Sequence, residues 1–288
     1  MNQPHQPHRL LRVVVWVVAC FMTGSVIGEN EPVVIAKIES VLFPGLEQRF
    51  EAADSEGVTA TRYEATLYLK VDADVKGPIK IPRLAAALVD MAWQGNRADD
   101  GISLKPEPDH WVISWKKRPA QDATLILQFG SEPLLLEELK PINKTGDGSF
   151  YLPAHLATTR GEKIRYEPQT FKNTVGFWAG KNDSAHWTIQ LDKPGRFNVA
   201  VLQGCGKGQG GSEAQMSFVT ADKKSSPTIE FEVVETGHWQ NFQWIRLGEV
   251  ELQQPGEAQI VVSPKKIKKG ALMDIRAIHL IRLPDKNR

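Results

Sequence analysis

Apolar and polar positions alternate with a period of two along most of this chain. Tyr63–Val71, Trp111–Trp115 and Ala123–Phe129 show the pattern in the first half, closed by Asp72-Ala73-Asp74, Arg118-Pro119 and Gly130-Ser131. Such alternation in β-branched and aromatic residues predicts half-buried strands. In the second half it recurs at short spacing: His186–Leu191, Arg196–Leu202, Ala214–Val219, Thr228–Val234, Gln243–Leu252, Ala258–Ser263 and Asp274–Leu283. Lys193-Pro194-Gly195, Gln254-Pro255-Gly256 and the glycine tract at 204–211 supply the turns between them. Short strands separated this regularly predict an all-β protein built of antiparallel sandwiches. Leu84–Trp93 and Leu134–Leu139 fit a short helix and a buried strand equally, because periodicity does not separate the two over so few residues.

The polar, glycine-containing stretch Asn143-Lys144-Thr145-Gly146-Asp147-Gly148-Ser149 breaks the pattern and marks a boundary. It predicts two β-sandwich domains, 29–145 and 146–288. Before them, Arg9 and Arg12 flank the apolar run Val13–Met22, which has the length of an export signal rather than of a membrane span. Residues 1–28 are therefore expected to be a signal peptide cleaved before Glu29, and the mature protein to be secreted or periplasmic. Val17-Val18-Ala19-Cys20 supports an alternative, a lipid anchor through Cys20.

The chain has 35 Lys and Arg against 34 Asp and Glu, and the leader removes two of the arginines. A near-neutral balance gives no electrostatic footprint for nucleic acid. Without Cys20, Cys205 is the sole cysteine of the mature chain, so the fold stands on its core without an intrachain disulfide.

Candidate chemistry centres on aromatic residues. Phe177-Trp178 and Thr236-Gly237-His238-Trp239 lie among polar and glycine residues, which fits rings exposed on loops, with burial in the sandwich core as the competing reading. The C–H face of a pyranose packs on such a ring while polar neighbours read its hydroxyls. Trp187, inside an alternating strand, is expected in the core. Catalysis has no comparable signature. The carboxylates Asp90, Asp99, Asp100, Glu107 and Asp109 lie in loop-like sequence, where charged residues are ordinarily solvated, and the histidines at 110, 155, 186, 238 and 279 lack metal-ligand spacing. Gly204–Gly211 lacks the Gly-Lys-Ser/Thr order and the strand-to-helix flanks of a phosphate loop, so it reads as a tight connection. Cys205 within it reads as a small buried residue, and Lys265–Lys269 as a solvated loop.

The order of elements from Ile164 to Leu283 resembles family six carbohydrate-binding modules and the wider galactose-binding-like, jelly-roll sandwich. The residues that carry the resemblance are Ile164-Arg165-Tyr166-Glu167, Thr174-Val175-Gly176-Phe177-Trp178, Trp187, Pro194-Gly195-Arg196-Phe197, Thr236–Trp239, Pro255-Gly256 and Met273-Asp274-Ile275-Arg276-Ala277-Ile278. Leu152–Glu167 with Leu202–Gly208 is similar to C-terminal extensions of secreted bacterial α-L-fucosidase-like glycosidases and sulfatases. Residues 32–140 are more loosely similar to the small β-domain that follows the barrel in such fucosidases.

The resemblance implies a carbohydrate site at Phe177 or Trp178 and at Trp239, with His238 and Phe242 beside it. It also implies a structural calcium held by Glu167 and Asp274. Two departures stand out. Gly270-Ala271-Leu272-Met273 replaces the sugar-binding amide, and Arg165 replaces one acid of the cation site. A Glu167 ion pair with Arg165 or Arg276 is the competing reading of those acids. The expectation is thus a non-catalytic, exported carbohydrate-binding protein that takes a glycan or polysaccharide and serves polysaccharide degradation. The alternatives are an interaction module for a separately encoded glycosidase or sulfatase, and a glycoside hydrolase on the first domain.

Overall fold

The computed structural model describes residues 33–34, 39–40, 57–95, 100–220 and 226–284; the expected leader, Cys20 and Asp99 lie outside them. The described residues form four sheets and no α-helix. Two sheets precede residue 143. One runs β1 (Val33–Val34), β5 (Ile79–Pro82), β8 (His110–Ser114), β7 (Ser103–Pro106). The other runs β2 (Glu39–Ser40), β3 (Val58–Tyr63), β4 (Thr66–Val71), β9 (Ala123–Phe129), β6 (Leu88–Trp93). Only the two-residue strands β1 and β2 pair in parallel; every other ladder is antiparallel.

After residue 149 come the other two. The first runs β12 (Arg165–Glu167), β13 (Thr174–Gly176), β20 (Asp274–Arg282), β15 (Gly195–Gly204), β18 (Gln243–Leu252), and β10 (Phe150–Pro153) joins β20 beyond the end of β13. The second runs β11 (Thr158–Arg160), β14 (Ser184–Leu191), β19 (Gly256–Lys266), β16 (Glu213–Thr220), β17 (Thr228–Glu232). Alternate residues of these strands form the core, as period two requires: Phe197, Val199 and Val201 on β15, Ala214, Met216 and Phe218 on β16, Ala258, Ile260 and Val262 on β19.

Strand positions agree with the alternation, with three local differences. Tyr63–Val71 is not one strand: Glu64, at φ 49°, turns the chain between β3 and β4. Leu84–Trp93 supplies the strand Leu88–Trp93, and Leu84 makes an isolated bridge to Leu135. Leu134–Leu139 contains a single 3-10 turn, Leu136–Glu138, in which Glu138 meets the Arg62 guanidinium.

The stretch at 143–149 is a tight turn organised by Asp147. Its carboxylate accepts from the Thr145 hydroxyl and from the Ser149 amide and hydroxyl, and these donors pull its pKa down to about 2. The sheets on either side of this turn meet along a packed seam. Trp111 lies 6.4 Å from Tyr166 between ring centroids, the Leu88 amide donates to Pro168 O, and Tyr166 Oη donates to Ala86 O. Arg83, 1% exposed, donates Nη2 to His155 O and lies over the Tyr166 ring. Burial lowers its pKa to about 10 and that of His155 to about 4, so His155 is neutral in the seam.

Candidate functional site

The expected site residues gather at one end of the sheet that contains β15 and β20. Phe177 follows β13, Asp274 opens β20, Gly204 ends β15, and Thr236–Phe242 leads into β18. Antiparallel pairing of β15 with β18 and β20 brings these ends together: Gly204 pairs with Asp274 and Gln203 with Gln243.

The Thr236–Trp239 loop is fixed on the glycine tract. Thr236 Oγ1 accepts from the Cys205 amide (2.8 Å), and the Thr236 amide donates to Cys205 O (3.1 Å). Gly206 bridges Gly237, and a Cβ built on Gly206 would sit 2.7 Å from Trp239 Cε2. One on Gly204 would sit 1.9 Å from the Trp239 carbonyl oxygen. The tract is glycine-rich at these positions because the indole and its backbone lie directly on it. Trp239 is thereby held half-buried, and His238 next to it is exposed. His238 Nδ1 accepts from the Gln240 amide (3.1 Å), which leaves Nε2 to bear the proton of the neutral ring. Cys205, fully buried, has its thiol pKa pushed up to about 11, chiefly by burial; it is structural, as its sequence context suggested.

Phe177 and Trp178 are neighbours with opposite fates. Trp178 is 0% exposed and donates Nε1 to Val175 O (2.9 Å), so it offers no face to a ligand. The expectation for Trp178 is corrected on that ground. Phe177 is 43% exposed and sits at φ 61°, a left-handed conformation that costs a residue with a Cβ on the order of 1 kcal/mol or more. The Arg165 guanidinium lies 3.4 Å above its ring centre, a cation–π contact that covers one face. Phe242 is treated likewise: Arg276 lies 3.8 Å over it and donates to the carbonyls of Phe171 and Lys172. Phe171 itself is 66% exposed on the loop so held, an aromatic that the sequence reading missed.

Glu167 and Asp274, 4% and 6% exposed, converge over Gly176. A Cβ on Gly176 would lie 2.7 Å from Asp274 Oδ1 and 3.2 Å from Glu167 Oε2. The cation at this pair is the Lys172 ammonium, which bonds Glu167; neither Arg165 nor Arg276 fills that role. Burial, then the charge of Glu167, pushes the Asp274 pKa up to about 8 against the pull of Lys172, so near neutrality this carboxyl holds its proton. Calcium takes six to eight oxygens, and no cluster of three His, Cys, Asp or Glu side chains forms among the described residues. With an ammonium already on Glu167, the donor set does not fit a calcium ion. The segment Gly270–Met273 contributes buried Leu272 and Met273, and the Leu272 N–H donates to Trp178 O.

The candidate carboxylates of the N-terminal half have separate partners and do not form a facing pair. Glu107 meets Lys105 and Arg165, Asp109 meets His110, and exposed Asp90 caps the Met91 amide. Asp100 is buried and its carbonyl accepts from the amides of Lys116 and Lys117.

No family model and no curated protein matches the chain. Among solved structures it is similar to an α-L-fucosidase from Vibrio sp. strain EJY3, at 14% identity and a TM-score of 0.31, over 75% of this chain and 38% of that one. It is similar to CBM35 from Cellvibrio japonicus Abf62 at 16% identity and a TM-score of 0.31, over 38% of this chain and 72% of that one. The mosquito-larvicidal Cry4Aa toxin of Bacillus thuringiensis is similar at 12% identity and a TM-score of 0.41, over 69% of this chain and 30% of that one. The chain spans well under half the length of the fucosidase and the toxin.

Proposed function

We propose that this chain is an exported, non-catalytic carbohydrate-binding protein, accessory to polysaccharide degradation, in which residues 146–288 form the recognition domain. One observation carries the reading. Phe177, Trp239 and Phe242 are solvent-reaching rings at one sandwich end, each held by a guanidinium or a glycine-lined bed. Rings fixed before binding lose little entropy when a sugar stacks on them, which is how a shallow site gains affinity. His238 Nε2, the Gln240 and Asn241 side chains and the two guanidinia offer hydrogen bonds around the rings.

Affinity electrophoresis through gels containing soluble polysaccharides tests the proposal. The protein is expected to be retarded by at least one polysaccharide, and Trp239→Ala to migrate as in an empty gel. Equal mobility of the folded wild-type protein in every gel would sink the idea.

A further inference from the structure

The outer face of the sheet that contains β20 bears a second set of rings, away from the end loops. Tyr151 on β10 is 43% exposed and lies opposite His279 on β20, their rings edge-to-face at 6.0 Å. On the other side of His279, at 6.1 Å, lies the ring of Trp244 on β18, 47% exposed, which reaches across β15. Beneath this reach β15 presents Ala200 and Leu202, which pair with His279 and Ala277 on β20, and Leu202 is the cross-strand neighbour of Trp244. The row crosses from β10 to β18, three strand spacings or about 14 Å. Arg246 and Asn198 border it, joined by an Nε-to-Oδ1 hydrogen bond of 2.7 Å, and Arg246 Nη2 meets Glu249 Oε1 at 3.5 Å.

What such a row fits follows from its size and chemistry. Rings half exposed and one residue wide offer on the order of 300 Å² of aromatic surface, far short of the ~800 Å² per partner of a stable protein interface. The strip is as narrow as a sugar ring, several rings long, and bordered by hydrogen-bond donors and acceptors. Continuity adds to this: a Cβ on Gly204 would lie 3.4 Å from Phe242 Cε1, and Gly204 shares the phase of Leu202, the partner of Trp244 on β18, so both rings stand at the same face of β15. The row therefore extends from the end loops onto the sheet.

We infer that Tyr151, His279 and Trp244 form a track for consecutive sugars of an extended polysaccharide chain, which leads from the end-loop rings across the sheet face. The inference rests on the proposed carbohydrate-binding function and specifies its ligand as an internal chain segment rather than a single terminal sugar. Tyr151 comes from a strand that precedes the region of family resemblance, and the track is incomplete without it.

Titration calorimetry of the full chain with xylo-, cello- and manno-oligosaccharides of two and six units tests the track. One of the hexamers is expected to bind at least tenfold more tightly than its dimer. Trp244→Ala and Tyr151→Ala are expected to remove that gain while the protein stays folded and dimer binding is unchanged, and Trp244→Phe to restore it. Binding of hexamer and dimer with equal affinity, or a hexamer affinity unmoved in both alanine variants, overturns the track and leaves the end-loop site standing. Wild-type protein that binds none of the six sugars overturns the track, and the retardation gels then decide separately on carbohydrate binding itself.

Discussion

Trp93 and Trp111 in the N-terminal half are 1% and 0% exposed, the first edge-to-face with Trp115 and the second stacked on Phe129, whereas Phe177 and Trp244 in the C-terminal half leave 43% and 47% of their surface in water. Among the described residues before 143, the large exposed apolar side chain is Val89; after it come Tyr151, Phe171, Phe177, Val234, Trp244 and Ile281. Aromatic content is similar in purpose on neither side. In the first half rings fill the core and the seam, which is where burial of large apolar area stabilises most. In the second half, rings left in solvent forgo that stabilisation, and several are also fixed by guanidinia. Surface that costs stability and is held in one orientation is surface suited to binding.

The comparison is most easily broken at the adjacent pair Phe177 and Trp178. Trp178→Ala removes a fully buried indole and its bond to Val175 O, and is expected to destabilise by about 3–5 kcal/mol in denaturant unfolding. Phe177→Ala is expected to cost about 1 kcal/mol or less, since it loses a half-exposed ring and relieves little but one stacked guanidinium. Similar losses for the two would mean that the exposed and buried rings do not differ in role.

A smaller effect sharpens the contrast between structural and binding groups at the same sandwich end. Asp274 has a folded pKa of about 8, above the ~3.9 of an unfolded aspartate. The native state therefore keeps a proton that the unfolded chain releases. This contribution is fully present below about pH 4 and is lost as pH rises through 8. Asp274→Asn, which mimics the protonated acid, is expected to flatten stability between pH 5 and 8 and to be the more stable protein at the upper end. An unchanged slope in the variant would show that another group holds the proton.

The smallest expected effect concerns calcium. Because the Lys172 ammonium serves Glu167, millimolar calcium or chelator is expected to shift the melting temperature by less than about 1 °C. A rise of several degrees with calcium would show that Lys172 swings aside and that the acids form a cation site.

Much of the architecture was legible because period two and turn residues are local signals. Gln243–Leu252 and Ala123–Phe129 coincide with the observed strands, and the all-β antiparallel reading holds. The turn at Glu64-Ala65 was not legible, since neither residue carries the glycine or proline that ordinarily marks φ above zero. The site was half legible. Loop rings at Phe177, Trp239 and Phe242 show as aromatics among polar residues, but composition does not say which member of Phe177-Trp178 turns inward, because the left-handed turn at Phe177 (φ 61°) interrupts the alternation just past β13. Trp244 and His279 were hidden inside correctly placed strands, although Trp244 shares the phase of exposed Arg246 and so already pointed outward. Lys172 was illegible as the partner of Glu167, because that contact depends on how the 168–173 loop folds back under Arg276.

The account's central claim is that glycans meet the exposed rings of the C-terminal half and none of the buried ones. Side-chain indole N–H signals report this directly when the isotopically labelled protein is titrated with the polysaccharide that retards it in gels. The account predicts that the Trp239 and Trp244 indole resonances shift progressively while those of Trp111, Trp178 and Trp187 stay fixed. Shifts confined to the buried tryptophans, or to Trp93 and Trp115 of the N-terminal half, would contradict it.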